Sequence, residues 1–212
     1  MNISIGINSF KQEKDLNRRE KLCLESIKKI KETSKHNISL YNISFTDDNI
    51  TYNDFTSLSK LKLSSDNVIK EYFKHEGLKK EYEQQKNAID TNTKKLPIVN
   101  EVLDVLAETE CDYFLFLNSD CILTPAFNKL KIENFESYSL CRANTDDTIN
   151  SLNDSVELEA ISVHGVDGLL IKKDVWLSVR NNFEKFMLGR FYWDILFSDK
   201  LIYFISINNF IN

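Results

Sequence analysis

Two side-chain oxygens stand where an apolar run breaks. In DYFLFLNSDCIL (Asp112 to Leu123), the residues Tyr113 to Leu117 give way abruptly to Asn118, Ser119 and Asp120 before the chain turns apolar again. Asp120 supplies a hard anionic oxygen and Asn118 a neutral carbonyl oxygen. In an extended segment residues two apart point to the same side, so the pair is expected to face one ligand. Mg²⁺ or Mn²⁺ suits such donors and keeps positions open for phosphate oxygens. A cation held there would draw charge off a diphosphate leaving group. The plainer alternative is a turn, since Asn, Ser and Asp are common turn formers.

Hydrophobic periodicity predicts the elements that hold these groups. ISIGINSF opens the chain as a strand, with Ile3, Ile5 and Ile7 alternating and Asn8-Ser9 ending it. DLNRREKLCLESIKKIKE follows as a helix capped by Asp15, with Leu16, Cys23, Ile27 and Ile30 on one face. NISLYNISF is a second strand ending at Asp47-Asp48, so the chain begins β-α-β, with parallel strands and a right-handed crossover. Residues from about 51 to 93 read as a charged helical insertion, one helix or two divided at Gly77. KKLPIVNEVLDVLAE is a helix with Pro97 in its first turn. It leads into the strand before Asn118, apolar on both faces as a central parallel strand is.

Beyond lie a strand around Tyr138 to Arg142, a turn and strand over VHGVDGLLIKK, a helix opening at Asp174, a helix over GRFYWDILFSDKL and a closing strand, IYFISI. The order predicts an α/β fold, a single domain over 1–212 with a mostly parallel central sheet flanked by helices, plus the helical insertion. Ligands of open sheets gather at the carboxyl ends of central strands, which is where Asn118 and Asp120 fall.

Composition narrows the classes. With 42% hydrophobic and 28% charged residues over 212 positions, the chain suits a globular domain with a substantial core. Its net charge of −5 speaks against general nucleic-acid binding, which needs a basic face. Cys23, Cys111, Cys121 and Cys141 show no CxxC spacing and are expected reduced and half-buried, in a cytoplasmic setting. The first residues lack the zones of a signal peptide. The longest apolar run, Leu201 to Ile207, falls short of the about 20 residues that cross a bilayer, so any membrane contact is expected to be peripheral.

LPIVNEVLDVLAETECDYFLFLNSDCILTPAF, taken with ISIGINSF as first strand, resembles the GT-A-fold glycosyltransferases of bacterial type. HGVDGLLIKKDVW and LGRFYWDILF are similar to their acceptor-side elements; the insertion lies outside the likeness. The resemblance implies a nucleotide-sugar-binding half over 1–123 and an acceptor-side half over 124–212. Asn118 and Asp120 then match the ends of an Asp-x-Asp motif for Mn²⁺ or Mg²⁺, with Asn118 a departure that removes one negative charge. Asn8 and Ser9 match the lining of the nucleotide pocket. Asp47 or Asp48 matches an acceptor for a pyrimidine N–H, and Lys95 or Arg18 would neutralise diphosphate.

On the acceptor side, Asp194 would be the base that takes the proton of the attacking hydroxyl. Tyr192 and Trp193 would stack on a sugar, and Asp167 and His164 would contact the acceptor within a tight HGVDG turn. The metal-binding His that many members carry after the last strand has no counterpart before Asn212. The implied activity is transfer of a sugar from a nucleoside-diphosphate-sugar donor to a glycan or related acceptor, in cell-surface polysaccharide synthesis.

Each assignment has a blander alternative. Asp47-Asp48 reads equally as a solvated turn, Lys95 and Arg18 as surface charge, Asp194 as a helix cap and His164 as a structural histidine. A sugar-phosphate nucleotidyltransferase would carry a Gly-rich basic loop after strand one, whereas GINSFKQEKDLNRR has Gly6 alone. A phosphohydrolase of the DxDxT type would need aspartates where Asn8-Ser9 stand. The competitor from another class is a non-catalytic GT-A-like nucleotide- or glycan-binding or scaffold protein, which Asn118 and the missing His favour.

Overall fold

The computed structural model describes residues 1–9, 18–48, 50–63, 96–145, 149–153, 158–188 and 193–211. Six strands form one sheet: β1 (Asn2–Asn8), β2 (Asn37–Phe45), β3 (Thr56–Leu61), β4 (Tyr113–Leu117), β5 (Ser137–Thr145) and β6 (Leu158–Lys172). Their spatial order is β3-β2-β1-β4-β6-β5. The first four are parallel, β6 runs antiparallel to β4, and β5 runs antiparallel to β6. Helices α1 (Arg18–Thr33), α2 (Val99–Ala107), α3 (Lys173–Val179) and α4 (Trp193–Ile211) flank it. The protein is therefore α/β with a six-stranded, mostly parallel mixed sheet.

Strand alternation sorts the core into two layers. Ile3, Ile5 and Ile7 of β1 and Tyr113, Leu115 and Leu117 of β4 pack on one side with Cys23, Leu24, Ile27 and Ile30 of α1. Phe114 and Phe116 pack on the other with Val102 and Leu106 of α2, Trp176 of α3 and Phe197 of α4. All five residues of β4 are buried, as expected of a strand covered on both faces. Gly6 lets α2 come down onto β1: a Cβ there would stand 2.6 Å from Leu106 Cδ2 and 2.9 Å from Ile43 Cδ1.

Several expectations are corrected. β3 lies inside the stretch read as a helical insertion; its sequence TSLSKL is polar and mostly exposed at the sheet edge, so it carries no alternation to read. Residues 64–95, which hold Lys95 and the rest of that insertion, lie outside the described residues, as does Asp15. The closing strand IYFISI is the continuation of α4. Phe197, Leu201, Phe204 and Ile205 recur at helical spacing and pack into the layer with Trp176, Phe183 and Phe186.

The HGVDG turn is part of β6, continuous from Leu158 to Lys172. Gly168 is small for packing, with Leu140 Cδ1 3.1 Å and Leu117 Cδ1 3.2 Å from where a Cβ would sit. Pro97 precedes α2 instead of entering its first turn: Ile98 is bridged to Met187, and the Pro97 carbonyl accepts from the Leu188 N–H, which keeps this pair extended. Cys141 is exposed, whereas Cys23 is buried and Cys111 and Cys121 are half-buried; all four thiols are free. Among the described residues no helix is long and apolar enough to cross a membrane.

Gly6→Ala is expected to lower the free energy of unfolding by about 1–3 kcal/mol, the cost of an overpacked methyl. Urea denaturation would show a lower midpoint at an unchanged slope, and an unchanged midpoint would mean that α2 can retreat from β1.

Candidate functional site

The order of the sheet reverses at β1: β2 follows on one side and β4 on the other. Such a reversal opens a crevice outside the carboxyl ends of the two diverging strands. Asn8 and Ser9 end β1 there, and Asn118, Ser119 and Asp120 follow β4. Because β6 is antiparallel, Gly168 pairs with Leu117, and Asp167 comes to the same rim.

Residues 118–121 form a turn, closed by the Cys121 N–H donating to the Asn118 carbonyl at 3.2 Å. The extended geometry expected for Asn118 and Asp120 is thereby overturned, since a turn swings them apart. The Asn118 side chain instead donates from Nδ2 to Asp167 Oδ1 at 2.8 Å, and its backbone N–H to the Asp167 carbonyl at 2.9 Å. Asp120 is exposed. The Cys121 thiol donates to Asp120 Oδ1 at 3.7 Å; burial pushes it well above the usual range, and Asp167 and then Asp120 push it further. Two acidic residues thus stand at the rim, the second being Asp167 on β6, which the sequence suggests only as an acceptor-side residue.

Beneath the turn, α1 reaches up with two side chains. The Cys23 thiol donates to the Asn118 carbonyl at 3.7 Å. Ser26 Oγ accepts from the Leu123 N–H at 3.0 Å and donates to the Cys23 carbonyl at 2.7 Å. Sequence reading placed Cys23 on the core face of the helix and passed over Ser26; a small polar residue on an apolar stripe was the signal for both.

On the β1 side, Asn8 is buried and donates from Nδ2 to the Ile43 carbonyl at 2.8 Å. Ser9 is buried beside the Tyr52 hydroxyl, its Oγ in no hydrogen bond among the described residues. Tyr52 itself donates to Glu20 Oε1 at 2.7 Å, a second pair not legible in the sequence. Burial pushes the Tyr52 phenol above its ordinary value, and the adjacent Glu20 adds to this against the Ser9 hydroxyl. Asp47 is exposed just past β2, and Asp48 is half-buried with its carbonyl accepting from Ser59 Oγ at 3.4 Å. Arg18 donates to Asn150 Oδ1 at 3.2 Å.

His164 falls in β6, and Trp193 and Asp194 are the first described residues of α4. The side chains of these three lie outside the described residues. A cavity of about 160 Å³ borders the rim, between Ser26 and Lys29 of α1 and Ile122 to Pro125. A larger one of about 350 Å³ lies at the β3 edge, where Lys60 pairs with Glu108 at 2.6 Å and Glu101 accepts from the backbone of Lys62 and Leu63.

Among the described residues no three His, Cys, Asp or Glu side chains converge as a closed metal cage. Asp120 and the Asn118 side chain offer oxygens of the kind that Mg²⁺ or Mn²⁺ takes, set apart by the turn. No family model, curated protein or solved structure matches this chain.

The Tyr52 phenol gives a pH signature. Folding holds its proton above the ordinary value of 10.0, so past that pH the folded chain binds more protons than the unfolded one and loses stability as pH rises. Tyr52→Phe removes this contribution. Its unfolding free energy is expected to fall less between about pH 9 and about pH 11 than that of the wild type; parallel curves in urea titrations would place the hydroxyl in solvent.

Proposed function

We propose that the chain is a GT-A-like glycosyltransferase that moves a sugar from a nucleoside-diphosphate-sugar donor to a glycan or related acceptor. What carries this reading is the meeting of Asn118, Asp120 and Asp167 with the end of β1 at the reversal of the sheet. A donor diphosphate lying across that crevice would face Asp120 and the Asn118 side chain, whose Nδ2 is spent on Asp167 and whose Oδ1 is the remaining acceptor. Asp120 would hold Mn²⁺ or Mg²⁺ together with the donor's phosphate oxygens, an ion that when bound draws charge off the departing diphosphate, and Asn118, swung away by the turn, would meet the donor directly. Asp167 restores the negative potential that an asparagine at 118 lacks.

The nucleotide end would lie toward Asn8 and Ser9, within reach of Asp47 for a base N–H, with Arg18 or Lys95 countering the diphosphate. On the acceptor side Asp194 takes the proton of the attacking hydroxyl, and Trp193 and His164 contact the sugar. The setting is cell-surface polysaccharide assembly on the cytoplasmic side, with peripheral contact to the membrane.

A second reading, a non-catalytic nucleotide- or glycan-binding protein, is favoured by one observation: Asn118 is already engaged by Asp167, which leaves Asp120 as the exposed carboxylate of the turn. Calorimetric titration with UDP and GDP, with and without Mn²⁺, separates the two from a scaffold. Binding strengthened by Mn²⁺ and abolished in Asp120→Ala is expected; no binding to either nucleotide would overturn the transferase and the nucleotide-binding readings and leave a glycan-binding or scaffold protein. A donor screen detecting released nucleotide then tests transfer. Asp194→Asn is expected to bind donor as the wild type does while transfer falls by about 100-fold or more, the usual worth of a general base; unchanged transfer would remove Asp194 from the chemistry.

A further inference from the structure

Past Leu117 the chain leaves the sheet, and after the Asn118 N–H, which still donates to the Asp167 carbonyl, the backbone groups as far as Leu123 have no ladder partners. Buried backbone groups need partners all the same. Two of them find those partners on α1. The Leu123 N–H is buried against Ser26 Oγ, and the Ser26 hydroxyl, by donating to the Cys23 carbonyl, turns its acceptor side toward Leu123. One helical turn earlier the Cys23 thiol meets the turn that carries Asp120: it donates to the Asn118 carbonyl, the same oxygen that closes the turn by accepting from the Cys121 N–H.

Cys23 and Ser26 stand three residues apart on one face of α1 and are 0% and 2% exposed. Leu24, Ile27 and Ile30 supply the aliphatic part of the same buried layer. An aliphatic pair at 23 and 26 would pack as well against β1 but would leave the Leu123 N–H and the Asn118 carbonyl without these bonds. Burial keeps the Cys23 thiol protonated, so it remains a donor through the neutral range.

We propose that Cys23 and Ser26 are positioning residues: a clamp from α1 that fixes the turn bearing Asp120, so that ligand affinity at the rim depends on two buried side chains that touch no ligand. The dependence on donor binding rests on the glycosyltransferase reading above; the clamp itself does not.

The test compares Cys23→Ala, Ser26→Ala and Cys23→Ser with Ile27→Val, which lightens the same helix face without touching the turn. Amide hydrogen exchange at Cys121 and Leu123 reports the clamp, and UDP affinity in Mn²⁺ reports its consequence. Ser26→Ala is expected to speed exchange at Leu123, and Cys23→Ala at Cys121, by about five- to tenfold relative to β4 amides, the ratio one lost hydrogen bond gives. UDP affinity falls by a similar factor. Cys23→Ser, which keeps a donor and an acceptor, restores both, and Ile27→Val changes neither. Should Cys23→Ala fail to fold, Ser26→Ala carries both readouts.

Unchanged exchange at Cys121 and Leu123, or the same loss in Ile27→Val, would overturn the clamp, and faster exchange with unchanged UDP affinity would overturn the dependence of ligand affinity on it. A wild-type protein that binds no UDP or GDP would sink the nucleotide reading, and exchange alone would then decide for or against the clamp.

Discussion

The bond from Asn118 to Asp167 is the interaction on which the rim of the sheet depends. A carboxylate as buried as Asp167, 7% exposed, is costly without polar partners. It meets one because β4 ends where antiparallel β6 passes: the Asn118 side chain donates to the carboxylate, and the Asn118 backbone N–H to the Asp167 carbonyl. That double contact carries the pairing of β4 and β6 one residue beyond the ladder. It also sets the point at which the chain turns away from the sheet. Everything after Leu117, including the placement of Asp120, starts from that anchor.

The anchor exists because the sheet is mixed. Parallel strands β1, β2 and β4 all present their carboxyl ends at one edge, and β6, running the other way, brings its interior residue 167 to that same edge. The two faces then close independently. α1 packs on the Ile3, Ile5 and Ile7 face, and α2 on the opposite face at the bare backbone of Gly6. Asp104 of α2 receives Trp176 Nε1 at 3.0 Å and Arg180 at 3.1 Å, so α3 is fastened to α2 by a shared carboxylate. The rim is therefore framed by α1 beneath it and by β6 beside it, two elements far apart in sequence.

Charge follows the same logic. Around the turn two carboxylates and two protonated thiols crowd into a small volume, with the bases of both thiols suppressed by burial and by neighbouring negative charge. A rim of that polarity attracts cations and accepts hydrogen bonds; it repels bare phosphate. A cation or a basic side chain is what makes a diphosphate acceptable there, which is the physical reason to join the two in one proposal.

Local pattern alone determined the parts of the molecule whose side chains repeat. Ile3, Ile5 and Ile7 mark β1, the stripe from Cys23 to Ile30 marks α1, and the unbroken run from Tyr113 to Leu117 marks a central strand, because burial on one or two faces leaves its period in the residues. The break at Asn118 likewise marked a rim. Pattern failed where neighbours decide. β3 is an edge strand with little to bury, and α4 is apolar on so many sides that IYFISI reads as a strand. Gly165 and Gly168 look like a turn until β5 and β4 are seen to press on the second of them. The partnership of Asn118 with Asp167, and of the turn with Cys23 and Ser26, spans 49 and 95 residues of chain, and the Leu123–Ser26 bond spans 97. Contacts at such separations are set by how strands are ordered in the sheet, so only the tertiary structure could decide them.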